Sequence, residues 1–111
     1  MAGFTIEREG STCSVVMRGN LIAALVPDLQ AAVREQLAQG TAELSVDLGQ
    51  TTMLDSTGIG FLIAARNSVV RQNGSMKVVG ASPDILQLLQ SMRLVSRLNV
   101  SGREARSVDH G

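Results

Sequence analysis

The spacing of apolar residues in this chain of 111 residues switches repeatedly between every second position and the helical period of about 3.6. Phe4, Ile6 and Arg8 alternate with Thr5, Glu7 and Glu9, and Cys13, Val15 and Met17 alternate with Thr12, Ser14 and Arg18. The Gly10-Ser11 pair between them predicts a β-hairpin. From Leu25 the period lengthens: Leu25, Leu29, Ala32, Val33, Gln36 and Leu37 share one helical face, with Pro27 suited to the first turn and Gly40 to the C-terminal cap. Ala42, Leu44, Val46 and Leu48 then read as a strand with one buried face. A second helix is expected from Gly58 to Gln72, with Ile59, Leu62, Ile63, Val69 and Val70 as its apolar residues. Met76 to Val79 reads as a short strand ended by Gly80. Ser82-Pro83-Asp84 is a helix start, followed on its buried side by Ile85, Leu86, Leu88, Leu89 and Met92. Leu94 to Val100 is expected to return to the sheet. Strands that alternate with helices require parallel pairing, and the opening hairpin makes the sheet mixed. The expectation is one α/β domain with a mixed four- to five-stranded sheet over residues 1–101, and a polar, fraying tail over 102–111.

Composition limits what such a domain can do. Hydrophobic residues make up 44% of the chain but aromatics only 2%, Phe4 and Phe61, so the core is aliphatic. Cys13 and the methionines Met53, Met76 and Met92 are expected to fill that core. Ten basic and ten acidic residues cancel, which argues against a nucleic-acid partner, because phosphate binding needs a positive field. One cysteine cannot form an internal disulfide or a thiolate metal cluster, and the one histidine, His110, is the penultimate residue. Neither a metal nor a cofactor is expected. The opening residues lack a signal-peptide pattern, and no apolar run approaches the ~18 residues of a membrane span. The chain is expected to be cytoplasmic, without direct membrane insertion.

Leu54-Asp55-Ser56-Thr57-Gly58-Ile59-Gly60 is the segment that can carry chemistry. It sits where a loop gives way to a helix. A helix N-terminus leaves backbone N–H groups unpaired and carries roughly half a positive charge. One reading is structural: Asp, Ser or Thr caps the helix, and the two glycines allow close packing. The other is that an exposed hydroxyl here can carry a phosphate, which the helix end stabilises. Enzyme motifs do not fit the same residues. A nucleophile elbow needs Gly two positions before the Ser, where Leu54 stands, and His110 is the one available base. A phosphate-binding loop needs a Gly-Lys pair, which the chain lacks.

Asp55-Ser56-Thr57-Gly58-Ile59-Gly60 resembles the D-S-x-G-L-G signature of the STAS-domain anti-sigma-factor antagonists. The resemblance extends over nearly the whole chain: the hairpin, Arg18-Gly19-Asn20-Leu21 before the first helix, Val46-Asp47-Leu48 before the signature, and Gly80-Ala81-Ser82-Pro83 before the third helix. It implies a mixed sheet with helices packed mainly on one side, and a switch protein rather than an enzyme. It also implies a partner: an anti-sigma factor that is a serine-protein kinase of the histidine-kinase-like ATPase superfamily, with a PP2C-type phosphatase reversing the mark. By that resemblance Ser56 is the phosphoacceptor, Asp55 the signature acid, Gly58 and Gly60 the signature glycines, and Thr57 the variable position. The chain departs from the family where a G-x-L-D pattern usually follows the second strand. Gly19-Asn20-Leu21 runs instead into Ile22 and an apolar stretch to Val26. The expected partner surface comprises Asn20, Ile22, Asp55, Ser56, Thr57, Gly58, Gly60 and Arg66.

Two functions follow as expectations. The first is a phosphorylation-controlled antagonist that binds its anti-sigma factor when unphosphorylated and so regulates transcription. The alternative is a non-catalytic STAS subunit of a larger assembly, a lipid transporter or a stress-signalling scaffold, in which a permanent partner covers the apolar loop.

Overall fold

The computed structural model describes residues 3–103. The strands are β1 (Phe4–Glu9), β2 (Thr12–Met17), β3 (Glu43–Asp47), β4 (Ser75–Ala81) and β5 (Val100–Gly102). The helices are α1 (Val26–Ala38) between β2 and β3, α2 (Ser56–Arg71) between β3 and β4, and α3 (Pro83–Ser91) and α4 (Val95–Leu98) between β4 and β5. His110 and the rest of the expected tail beyond Arg103 lie outside the described residues.

The hairpin forms because Gly10 takes the positive φ, 61°, that a tight two-residue turn between twisted strands requires. β1 pairs antiparallel with β2 from Phe4↔Met17 to Glu9↔Thr12. The sheet order is β1-β2-β3-β4-β5, with every pair after the first parallel. Each parallel crossover therefore steps in the same direction. Right-handed crossovers of that kind deliver all the helices to one face of the sheet.

Alternation along β2 and most of β4 matches this one-sided layering, whereas β3 buries Ser45 on the far face as well as Leu44 and Val46. Cys13, Val15 and Met17 on β2, Leu44 and Val46 on β3, and Met76 and Val78 on β4 are buried, with Val15, Val46 and Val78 in one register row. The adjacent row across the other face, Val16, Asp47 and Val79, is only half-buried. Helices close the core from the covered side. α1 contributes Val26, Leu29 and Val33, and α2 contributes Ile59, Phe61, Leu62, Ala65 and Val69. α3 begins as its sequence dictates: Ser82 Oγ accepts from the Ile85 N–H at 3.2 Å, with Pro83 in the first turn.

Several expectations need correction. The stretch from Leu94 to Val100 is mostly helical. Leu94 and Leu98, both buried, stand one turn apart, and the Leu98 N–H donates to Leu94 O at 2.9 Å. Asn99, with φ 55°, then reverses the chain into β5, which extends to Gly102. A short apolar run has no period long enough to separate strand from helix. β4 does not stop before Gly80 but passes through it, at φ 74°, where its register with β5 shifts. A Cβ on Gly80 would stand 3.1 Å from both Asp47 Oδ1 and the Gly49 nitrogen. Val70, Leu88, Met53 and Met92 are exposed rather than core residues, with α3 burying only Ile85 and Leu89, whereas Cys13 and Met76 are buried as expected.

Leu62 and Val70 test this packing from a single helix. Leu62 is fully buried, so Leu62→Ala removes contacts that nothing replaces and costs about 2–5 kcal/mol. Val70 is 41% exposed, and Val70→Ala changes stability by no more than about 0.5 kcal/mol. Urea unfolding of the two variants measures both.

Candidate functional site

The loops that follow β2 and β3 meet at the carboxyl end of the parallel strands, where α/β sheets commonly build their sites. Backbone bonds join them. The Leu21 N–H donates to Met53 O at 3.1 Å and the Asp55 N–H to Leu21 O at 3.2 Å, which makes Leu21 and Leu54 a parallel bridge outside the main sheet. Both leucines are buried.

Side chains reinforce the junction. Asn20 Oδ1 accepts from the Thr52 N–H at 3.1 Å, the Thr52 hydroxyl at 3.0 Å and the Met53 N–H at 3.1 Å. The Thr51 hydroxyl, fully buried, donates to Gly19 O at 2.7 Å. Burying a hydroxyl without a partner would cost about 1–3 kcal/mol, so this bond is what allows Thr51 inside. Asn20, expected on the partner surface, thus spends its amide oxygen on holding the loop 51–53.

Asp55 is the N-cap of α2. Its Oδ1 accepts from the Gly58 N–H at 2.8 Å, which satisfies one of the helix's unpaired donors. Its Oδ2 accepts from the Ala23 N–H at 2.9 Å, across the junction. The Gly58 bond first, and the Ala23 bond next, hold the carboxyl below the usual carboxylate range. One ionised side chain therefore fixes both the start of α2 and the loop after β2.

With Asp55 as the cap, the hydroxyl of Ser56 is left over. Ser56 is the first residue of α2, and it and Thr57 are exposed. The helix was expected from Gly58, and Asp55's capping bond starts it two residues earlier. The site offers a solvent-facing hydroxyl, an adjacent carboxylate and the positive end of a helix of 16 residues.

The two glycines differ in kind. Gly58 is buried against Leu21: a Cβ there would overlap the Leu21 carbonyl oxygen and come within 2.9 Å of Leu21 Cγ. Gly60 is exposed and a Cβ on it would meet nothing within 4 Å. Ile22 is half-buried and Ala23 and Ala24 are exposed, in a turn where the Leu25 N–H donates to Ile22 O at 2.9 Å. Arg66 does not join the cluster. It lies about 15 Å along α2 from Ser56 at 1.5 Å per residue, and its guanidinium turns to Asn67 at 3.4 Å. Residues that sequence reasoning missed are Thr51 and Thr52, which lie in no periodic run, and Met53, 52% exposed at the junction.

Comparisons agree with this architecture. A family model described as "Mlab, STAS domain" matches residues 4–100. No curated protein matches the chain in sequence. The anti-sigma factor antagonist of Mycobacterium paratuberculosis shares 21% identity over 87% of this chain and 82% of its own, at a TM-score of 0.76. The phosphorylated form of SpoIIAA, the Bacillus cell fate determinant, shares 17% over 96% and 97%, at 0.72. A sulfate transporter family protein of Wolinella succinogenes shares 12% over 83% and 75%, at 0.71. At these identities the structures share a fold with this chain.

The glycine pair supplies the test of the junction. Gly58→Ala forces α2 away from Leu21, and the overlap makes it destabilising by about 1–3 kcal/mol. Gly60→Ala is neutral or stabilising by up to about 1 kcal/mol, because alanine is the better helix former. Thermal and urea unfolding of the two variants give the comparison.

Proposed function

The chain belongs to the STAS-domain family, and we propose that it is a phosphorylation-controlled interaction switch of the anti-sigma-factor-antagonist kind. In this reading the unphosphorylated protein binds an anti-sigma factor that is also a serine kinase of the histidine-kinase-like ATPase superfamily. The kinase modifies Ser56, and a PP2C-type phosphatase restores the hydroxyl. The protein itself catalyses nothing and works in the cytoplasm. Among its described residues no helix is long and apolar enough to cross a membrane.

One observation carries the reading: Ser56 is exposed at the start of α2 while its neighbour Asp55 does the capping. A phosphate on Ser56 adds about −1.5 to −2 charge and three acceptor oxygens. The helix end accommodates that charge, offset in part by repulsion from Asp55, so the fold persists. A docked partner meets it differently. It must strip water from the phosphate, and a buried unpaired charge costs several kcal/mol, enough to weaken binding by orders of magnitude. Structural kinship with a phosphorylated antagonist supports the same assignment. Ser56, Thr57, Ile22 and Met53 would face the partner, with Gly60 leaving room on α2.

A second reading, the constitutive subunit of a transporter or scaffold, is favoured by the apolar character of the junction. Met53 is 52% exposed, and Ile22 stands where antagonists usually carry an acid. A permanent partner would bury both.

Affinity purification from the native cells, read by quantitative mass spectrometry, separates the two. The switch reading expects phosphate on Ser56 in some growth condition. It also expects an ATPase of the stated superfamily to be recovered with Ser56→Ala and lost by tenfold or more with Ser56→Asp, while both variants melt close to wild type. Ser56 free of phosphate in every condition, with equal recovery by both variants, transfers the assignment to the constitutive subunit.

A further inference from the structure

A groove of about 570 Å³ runs between α1 and α2, on the helical layer and away from the junction that holds Ser56. Val33, Phe61 and Ala65 form a buried floor, with Leu37 half-buried beside them. It stays open because its α2 wall is small: Ala64 and Ser68 stand where larger side chains would close it. Gln72 seals one end, where its amide Nε2 donates to Leu37 O at 3.1 Å and to Thr41 O at 3.2 Å. The other end, at Gln30, is exposed.

Charge on the rim is one-signed. Arg34 stands on the α1 side and Arg71 on the α2 side, both exposed, and among the described residues none that lines the groove is acidic. Among the described residues Arg71 bonds only within its own helix, to Ser68 Oγ at 3.2 Å. In a chain with zero net charge, two arginines on opposite rims of an apolar floor form a local positive field.

Gln30, Arg34 and Ala38 follow one another at four-residue intervals along α1, and Phe61, Ala64, Ser68 and Gln72 follow at three- and four-residue intervals along α2. These rows are the ridges between which a third helix packs. From Gln30 to Ala38 the rim runs for about 12 Å, roughly two turns of helix.

We propose that the α1–α2 groove is a second docking site, which takes an amphipathic helix of a partner protein whose apolar face seats on Phe61 and Val33 and whose flanking acids meet Arg34 and Arg71. Its occupancy is independent of Ser56, so the domain can hold one partner while the junction engages and releases another.

The probe is a synthetic helical peptide with leucines on one face and glutamates along both flanks, titrated into the labelled full chain and followed by amide NMR shifts. A second peptide carries lysine for every glutamate. The glutamate peptide shifts residues of α1 and α2 around the groove, and the lysine peptide binds at least about tenfold more weakly. Arg34→Glu with Arg71→Glu reverses that preference. Ala64→Trp fills the groove from an exposed position and abolishes binding of both peptides, with a circular-dichroism melt confirming the fold. Ser56→Asp leaves peptide affinity unchanged, which separates this site from the proposed switch. Equal binding of the two peptides, shifts outside the groove, or affinity unaffected by Ala64→Trp overturns the proposal. Self-association of the wild-type chain that Ala64→Trp abolishes overturns it in favour of a second copy as occupant. Groove shifts produced by decanoate, where the glutamate peptide produces none, overturn it in favour of a small amphiphilic anion.

Discussion

The carboxylate of Asp55 ties together the parts of the molecule on which its proposed function rests. One oxygen caps α2 through the Gly58 N–H and the other crosses the chain to the Ala23 N–H. Hydrogen bonds to an ionised acceptor are the stronger kind, and each here satisfies a backbone donor at a loop or helix end. Without the first, the start of α2 loses its cap, at a cost of about 0.5–2 kcal/mol. Without the second, the turn after β2 loses one of its ties to the site, while the bonds of Leu21 and Asn20 remain. Ser56 owes its exposed position to both.

That clamp works only because other residues bring its ends together. Gly58 lets α2 lie against the Leu21 carbonyl, and Asn20 gathers the Thr52 and Met53 donors into the loop before Asp55. The sheet supplies the frame, since its uniform parallel order from β2 to β5 directs the crossover helices to one side and the loops that feed them to one end. The same one-sided layering sets α1 beside α2 and so creates the groove between them. A fold found both in an anti-sigma factor antagonist and in a sulfate transporter family protein fits a rigid frame that presents different surfaces.

Period and punctuation made most of the frame legible in the sequence. The Gly10-Ser11 hairpin, the capped start at Ser82 and the alternation in β2 and β3 are local signals, and each element formed where its pattern stands. The segment after Leu94 was not legible, because Leu94, Val95, Leu98 and Val100 suit a helical turn and a strand equally well until tertiary packing decides. At the site, the motif marked Asp55 and Ser56 but could not assign the capping role between them. Nor could it separate Gly58, buried against a backbone carbonyl, from Gly60, where an added Cβ would meet nothing within 4 Å. Asn20 and Thr51 act through bonds across some 30 residues of chain, beyond the reach of any local pattern.

The clamp is open to direct measurement by following the amide protons of Ala23 and Gly58 by NMR as pH is lowered. A carboxylate whose folded-state pKa is depressed contributes stability that is present above its unfolded value and is lost as pH falls through the folded one. For Asp55 the ordinary value is 3.8, and its two backbone bonds lower it. The account predicts that both amides shift together, with a common midpoint below 3.8, and that Asp55→Asn removes the step from both. Separate midpoints for the two amides, or a shared midpoint at or above 3.8, would contradict it.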